Sequence, residues 1–210
     1  MSIVKKLQVR GLELIVFGTV KGLVSERAKL REVFDKYNPD LFLLGISPEE
    51  YEGLHRYLKE PFEIEPDDYG VIYAKKLEKF GEVGLPVPTY LEAFALSKKH
   101  NVRMIPVDMP DEEYSELFTR KVDFLKIMRF DMRKRKVWKK NFEAQTPEEF
   151  AIKWDREINR IREFMEIERE RERYMAKKIL NVLEKEKVNK SLFIVEIERM
   201  DGVIGHMENV

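Results

Sequence analysis

Short apolar runs alternate along this chain with stretches whose apolar residues recur every three or four positions, and that alternation lays out its elements. Leu12 to Phe17 reads as a fully buried strand, paired with Ile3 to Val9 across Gly11. Ser25 opens a helix through about Tyr37, with Leu30, Val33, Phe34 and Tyr37 on one face. The turn at Asn38-Pro39-Asp40 leads into a second short buried strand, Leu41 to Ile46. Ser47-Pro48-Glu49-Glu50 then combines a hydroxyl N-cap, a first-turn proline and an acid at the third position, which predicts a helix to about Leu58. Residues 66–80 have a helical pattern, and a loop, GEVGLPVPTY, precedes another helix ending near His100. Val102 to Val107 is a third buried strand.

The rhythm changes after Asp111. Up to about Glu186 the pattern is helical throughout, with a fresh start at Thr146-Pro147-Glu148-Glu149 and an apolar stripe of Trp154, Ile158, Ile161 and Met165. Leu192 to Ile197 returns as a strand that should rejoin the sheet, followed by a glycine-bearing tail. The expected fold class is α/β: a mainly parallel sheet covered by helices, with a long helical insertion before the last strand. The expected organisation is a single domain over 1–210, the insertion lying at about 111–187, with no repeat and no low-complexity linker.

Composition narrows the function classes. The chain has 210 residues, 43% of them hydrophobic, enough to build a core. Its 39 Lys and Arg balance its 39 Asp and Glu, which removes the simple electrostatic case for a nucleic-acid or membrane-surface protein. Cysteine is absent, so no disulfide, thiolate nucleophile or Cys-ligated zinc exists. Abundant Glu, Lys and Arg without Cys suit a heat-adapted protein. The start, MSIVKKLQVRG, lacks a signal-peptide apolar core, and no stretch approaches the roughly 20 apolar residues of a membrane span, so a soluble cytoplasmic protein is expected.

Several stretches could carry chemistry. VFGTVKGLVS, residues 16–25, runs from a buried strand through Gly18, Thr19 and Lys21 into a helix, the place where a sheet's carboxyl edge presents reactive groups. RFDMRKRKVWKKNF, residues 129–142, is basic and carries Phe130, Trp138 and Phe142, which could stack on bases; a solvated helix end facing later acids explains it better, so nucleic acid is disfavoured as a partner. EIERERERYMA, residues 166–176, pairs Glu166 with Arg169, Glu168 with Arg171 and Glu170 with Arg173 at i,i+3, and by itself reads as a solvent-crossing helix. The three histidines, His55, His100 and His206, show no metal-ligand spacing; His206 alone follows a predicted strand. Asp108 follows the third strand, and Glu196 and Glu198 are expected in the last one. Carboxylates so placed could hold a cation, do acid/base work, or simply cap edges.

Taken in order, these stretches resemble the TraB/pheromone-shutdown family, whose wider relatives include the Tiki metalloproteases and GumN-like proteins. GTVKGLVSERAKLREVFDKYNPDLFLLGISPEEYEGL fits the family's opening frame of strand, Gly-Thr turn, helix, Pro-Asp and second strand without a gap. KKHNVRMIPVDMPDEEY matches Asp108 to the family's "IDRD" aspartate. ERERYMAKKIL is similar to an "ERDRxMA" helix at Glu170, Arg171, Arg173, Met175 and Ala176. FIVEIERMDGV stands in the place of the final "GAGH" strand and turn.

The departures fall on the residues such a site would need. Lys21 replaces the first motif's histidine and Gly45 the glutamate of the second strand. Thr89 stands for a further glutamate, with Glu92 one turn on, and Arg199 takes the last histidine's place unless His206, in GVIGH, reaches it through a longer loop. Lysine and arginine offer positive charge and no lone pair, so this version is expected to hold no metal and no cofactor. The leading expectation is a catalytically degenerate TraB-like domain with a binding, regulatory or structural role, its cleft at Gly18, Thr19, Lys21, Gly45 and Arg199 open to an anion. The alternative is a peptidase- or esterase-like hydrolase rearranged around Asp108, Glu170, Arg171, Arg173, Glu196, Glu198 or His206. A second alternative is docking of nucleic acid or a partner through the basic helix 129–142. The long helices also offer a surface for a homodimer.

Overall fold

The structure is a computed structural model and describes residues 3–186 and 188–208. Its centre is a five-stranded sheet in the order β1-β2-β5-β3-β4. β1 (Val4–Val9) and β2 (Leu12–Thr19) form an antiparallel hairpin, closed by Arg10 and Gly11 with φ of 52° and 82°. β3 (Leu41–Leu44), β4 (Arg103–Pro106) and β5 (Lys190–Glu196) are parallel to β2 and to one another. β5 is buried along most of its length and pairs with β2 on one side and β3 on the other.

Because side chains alternate across a strand, the sheet feeds two cores. Ile15, Phe17, Phe42, Leu44, Leu192 and Ile194 face α1 (Glu26–Tyr37), α2 (Pro48–Lys59) and α4 (Pro88–His100). Leu14, Val16, Leu41, Leu43, Phe193 and Val195 face the other layer, built from α3 (Asp68–Leu77), α7 (Pro147–Ile158), α8 (Arg162–Lys185) and α9 (Ile197–Glu208). α5 (Asp111–Lys121) packs on α8 through a third, smaller cluster of Met109, Leu117, Val122 and Ile167, and α6 (Phe124–Lys139) follows it. The fold is therefore α/β with a mostly parallel sheet, as the patterning predicts. α5 to α8 occupy the chain between β4 and β5; the 187 end of the expected insertion lies outside the described residues.

The capping signals act as read. Ser47 Oγ accepts from Glu50 N at 3.1 Å while Glu50 Oε2 accepts from Ser47 N at 3.2 Å. Thr146 Oγ1 accepts from Glu149 N at 3.2 Å. Two expectations fail. The Trp154–Met165 stripe is not one helix: α7 stops at Ile158, Ile161 is extended, and Met165 lies exposed on α8. Asn159 ends α7, its side-chain amide donating to Asp155 Oδ1 at 2.7 Å. The last strand stops at Glu196, and the stretch read as strand end and tail is α9, with Glu198 in its first turn and Gly202 and Gly205 inside it. Ile197, Met200, Val203, Ile204 and Met207 recur at helical spacing and are buried, which outweighs the roughly 1 kcal/mol that each glycine costs a helix.

Candidate functional site

β2, β5 and β3 all end at one edge, and a cleft of about 360 Å³ opens beside it, lined from the β2–α1 loop, the β5–α9 junction, α3 and α5 to α8. Lys21 reaches this cleft because the loop bearing it is fastened from several sides. Val20 N donates to the buried Glu26 Oε2 at 3.1 Å, Gly84 N donates to Gly22 O at 2.9 Å, and Gly22 supplies a φ of 87°. Gly18 is a strand residue of β2 and not part of the turn; a Cβ there would lie 2.4 Å from Ile197 Cδ1 and 3.3 Å from Ile197 Cα. Its role is to let the start of α9 lie against β2, which brings Glu198 and Arg199 into the cleft that Lys21 lines, beside Glu196 at the end of β5.

Each cation in the cleft is already held, Lys134 by Asp131 at 2.8 Å. Lys21 Nζ lies 3.0 Å from Glu196 Oε1. Arg171 bonds Asp108 and, at 3.1 Å, Glu168. Arg199 bonds Asp155, with Glu168 at 3.3 Å and Glu172 at 3.2 Å. Gly202 makes room for that last contact, since a Cβ there would sit 2.2 Å from Glu172 Oε2. The lining carries four cations, Lys21, Lys134, Arg171 and Arg199, against five acids, Asp67, Asp155, Glu168, Glu196 and Glu198.

The two carboxyls at the sheet edge titrate apart. Burial pushes Glu196 up, but the charges of Lys21 and Arg171 outweigh it and hold the group below the usual carboxylate range. Burial and the adjacent Glu196 charge push Glu198 up to about 8. Glu198 Oε2 is enclosed with no hydrogen-bond partner among the described residues, as is the Tyr73 hydroxyl. Burial, reinforced by Glu198 and Glu196, raises both Tyr69 and Tyr73, which stay protonated at any physiological pH.

The sequence-predicted residues divide clearly. Lys21, Arg171, Glu196, Glu198 and Arg199 meet in the cleft, and the buried Asp108 joins through Arg171. Glu170 and Arg173 pair with each other at 2.8 Å on the outer face of α8. His206 sits two turns along α9 from Arg199 and does not line the cleft. Gly45 lies behind β5, where a Cβ would meet Val195 Cγ2 at 3.0 Å and Ile194 O at 3.2 Å, so no side chain from that position enters the cleft. Thr19 is buried and its hydroxyl meets that of Thr89 at 2.7 Å, joining two positions of the quoted motifs away from the cleft. Glu92 turns to Arg27 and Arg31 of α1.

The solvent-crossing reading of 166–176 is corrected: Glu172, Met175 and Ala176 are buried, and Glu166 pairs with Lys121 and Arg162 in place of Arg169. On the basic stretch, Phe142 is buried and Phe130 stacks on Phe164 at 4.6 Å, while Arg133 and Lys140 bond Glu157. Tyr69, Tyr73 and Asp155 also line the cleft, although no motif marks them in the sequence. Their only signals were the i,i+4 tyrosines after Asp67, whose carboxylate accepts from Gly70 N at 2.8 Å, and an acid one position past Trp154.

A divalent metal does not fit this donor set. The carboxylates that could ligate one are neutralised by lysine and arginine, and among the described residues no group of three or more His, Asp or Glu side chains is arranged to hold an ion. None of the described helices is long and apolar enough to cross a membrane. Fold and site together define an α/β domain with a charged and aromatic cleft at the carboxyl edge of its sheet. No protein-family model matches the chain, and no curated protein matches it significantly.

Proposed function

We propose that this chain is a TraB-like domain that has lost metal-dependent hydrolysis and works as a binding module through the cleft at its sheet edge. The observation that supports this reading is the closed ion pairing of Lys21 with Glu196 and of Arg199 with Asp155, Glu168 and Glu172. Two cations stand where the resemblance expects histidines, and they engage the acids that a metal would need. An anion gains little here either, because the same cations are already satisfied by carboxylates. Thermal unfolding with and without zinc or manganese tests the reading. A site bound a thousandfold above its Kd would stabilise the fold by about 4 kcal/mol, and we expect no upward shift in Tm. A rise of several degrees would overturn the proposal.

One observation favours a second reading, a hydrolase run by carboxylates alone: Glu196 is held low and Glu198 high in the same cleft, with Lys21 beside them. Paired acids pushed apart in this way suit a base and an acid. Hydrolysis of p-nitrophenyl esters that falls at least a hundredfold in both Glu196→Gln and Glu198→Gln would support it; no turnover above background would remove it.

A further inference from the structure

Hydrogen-bonding capacity is left over at one end of the cleft. The Tyr73 hydroxyl and Glu198 Oε2 are enclosed and unpartnered among the described residues, and both residues line the cavity. A buried polar atom without a partner is costly, so two of them on residues that line one cavity mark a place where a bound molecule would bond. Tyr69, one turn before Tyr73 on α3, accepts from Trp154 Nε1 at 2.7 Å, which leaves its own proton free to donate. With Glu198 protonated at neutral pH, the residual chemistry of this end is that of a hydrogen-bond donor. Phe118, Phe130 and Phe164 also line the cleft as an aromatic cluster, Phe118 edge-on to Phe164 at 5.9 Å and Phe130 stacked on Phe164 at 4.6 Å.

We propose that the cleft binds a neutral small molecule with a carbonyl or hydroxyl oxygen on a flat apolar body. The oxygen accepts from Tyr73 and Glu198, and the body lies on Phe118, Phe130 and Phe164. This inference rests on the metal-free reading of the same cleft. The charges of the lining favour ions of neither sign. With Glu198 neutral, the lining holds four cations and four remaining acids, so neither an anion nor a cation meets a net attraction. The volume of about 360 Å³ is at the small end of ligand sites and admits a single ring with a short substituent.

Binding should depend on pH through Glu198. The groups that face it are Glu196 on β5, Lys21 in the β2–α1 loop, Tyr69 and Tyr73 on α3, Glu168 and Arg171 on α8, and, on α7, Asp155 with Glu148, Glu149, Lys153 and Arg156, which line a second cavity on the other side of Glu198. Once Glu198 ionises, its proton is no longer available and its charge repels an acceptor oxygen.

The test uses the full chain and three probes that share a ring and differ in charge: benzamide, benzoate and benzylammonium. They are titrated at pH 6.5 and pH 9 and followed by chemical shifts of labelled protein. Benzamide is expected to bind most tightly and to move resonances of cleft residues. Tyr73→Phe should weaken it about three- to tenfold, the loss of one hydrogen bond, without lowering Tm, because the hydroxyl removed has no internal partner. Glu198→Gln, which keeps a donor, should retain benzamide binding at pH 6.5 and abolish its weakening at pH 9. Tighter binding of benzoate or benzylammonium, no benzamide binding, or benzamide binding unchanged in Tyr73→Phe and Glu198→Ala would overturn the proposal. If benzamide fails and zinc or manganese stabilises the chain, the metal-free reading falls as well; if the metals have no effect, only the donor pocket falls.

Discussion

Gly18 and Glu198 show how single residues decide this site. Gly18 looks like a turn glycine from its place in VFGTVKGLVS, yet the turn's left-handed residue is Gly22, and Gly18 is spared a side chain so that Ile197 can approach. Sequence could not separate these roles, because close approach depends on α9, which is nearly 180 residues later in the chain. We expect Gly18→Ala to destabilise by about 1–3 kcal/mol in urea unfolding, the usual cost of overpacking a core. Glu198 carries a different prediction. Its folded pKa of about 8 lies above the ordinary 4.5, so the native state keeps a proton that the unfolded chain has released. Its contribution is complete below pH 4.5 and is lost as pH rises towards about 8. Glu198→Gln should therefore be more stable than the parent at pH 9, by about 1–3 kcal/mol, and the gain should shrink towards pH 5. Equal stability of the two at pH 9 would contradict the assignment.

At the scale of elements, α8 has two faces that composition cannot tell apart. Its run of alternating Glu and Arg is legible as a helix, and two of its three expected i,i+3 pairs form. Only packing reveals that Arg171 points into the cleft and neutralises Asp108, which is 3% exposed, whereas Arg173 stays at the surface with Glu170. Arg171→Met should cost about 3–5 kcal/mol, because it strands a buried carboxylate, and adding Asp108→Asn should recover part of that loss. Arg173→Ala should cost less than about 1 kcal/mol. Chemical denaturation of the three variants distinguishes them. The strands and most helices were legible because their apolar period is short and local. α9 was not, because its two glycines and the abrupt strand-to-helix junction at Glu196-Ile197 hide a helical period in what looks like a tail. The same junction places Glu198 in the first turn of a helix, where the apolar run before it suggests a strand.

At the scale of the whole molecule, the sheet order settles which distant residues can meet. Lys21 and Arg171 are brought to Glu196 and Arg199 because β5 inserts between β2 and β3, so motifs from the start, middle and end of the chain converge at one edge. The order of motifs is readable from sequence; the aromatic cluster and the tyrosine donors are not, since they come from α3, α5, α6 and α8, whose positions follow from packing alone.

The central placement of β5 also shapes how the chain is made. Synthesis runs from the amino end, so the β1–β2 hairpin and the β3–β4 pair emerge well before the strand that unites them. Until Lys190–Glu196 leaves the ribosome, β2 and β3 each present an unpaired edge of apolar residues, the kind of template on which nascent chains stick to one another. The strand that completes the site is thus also the one whose arrival covers both of those edges.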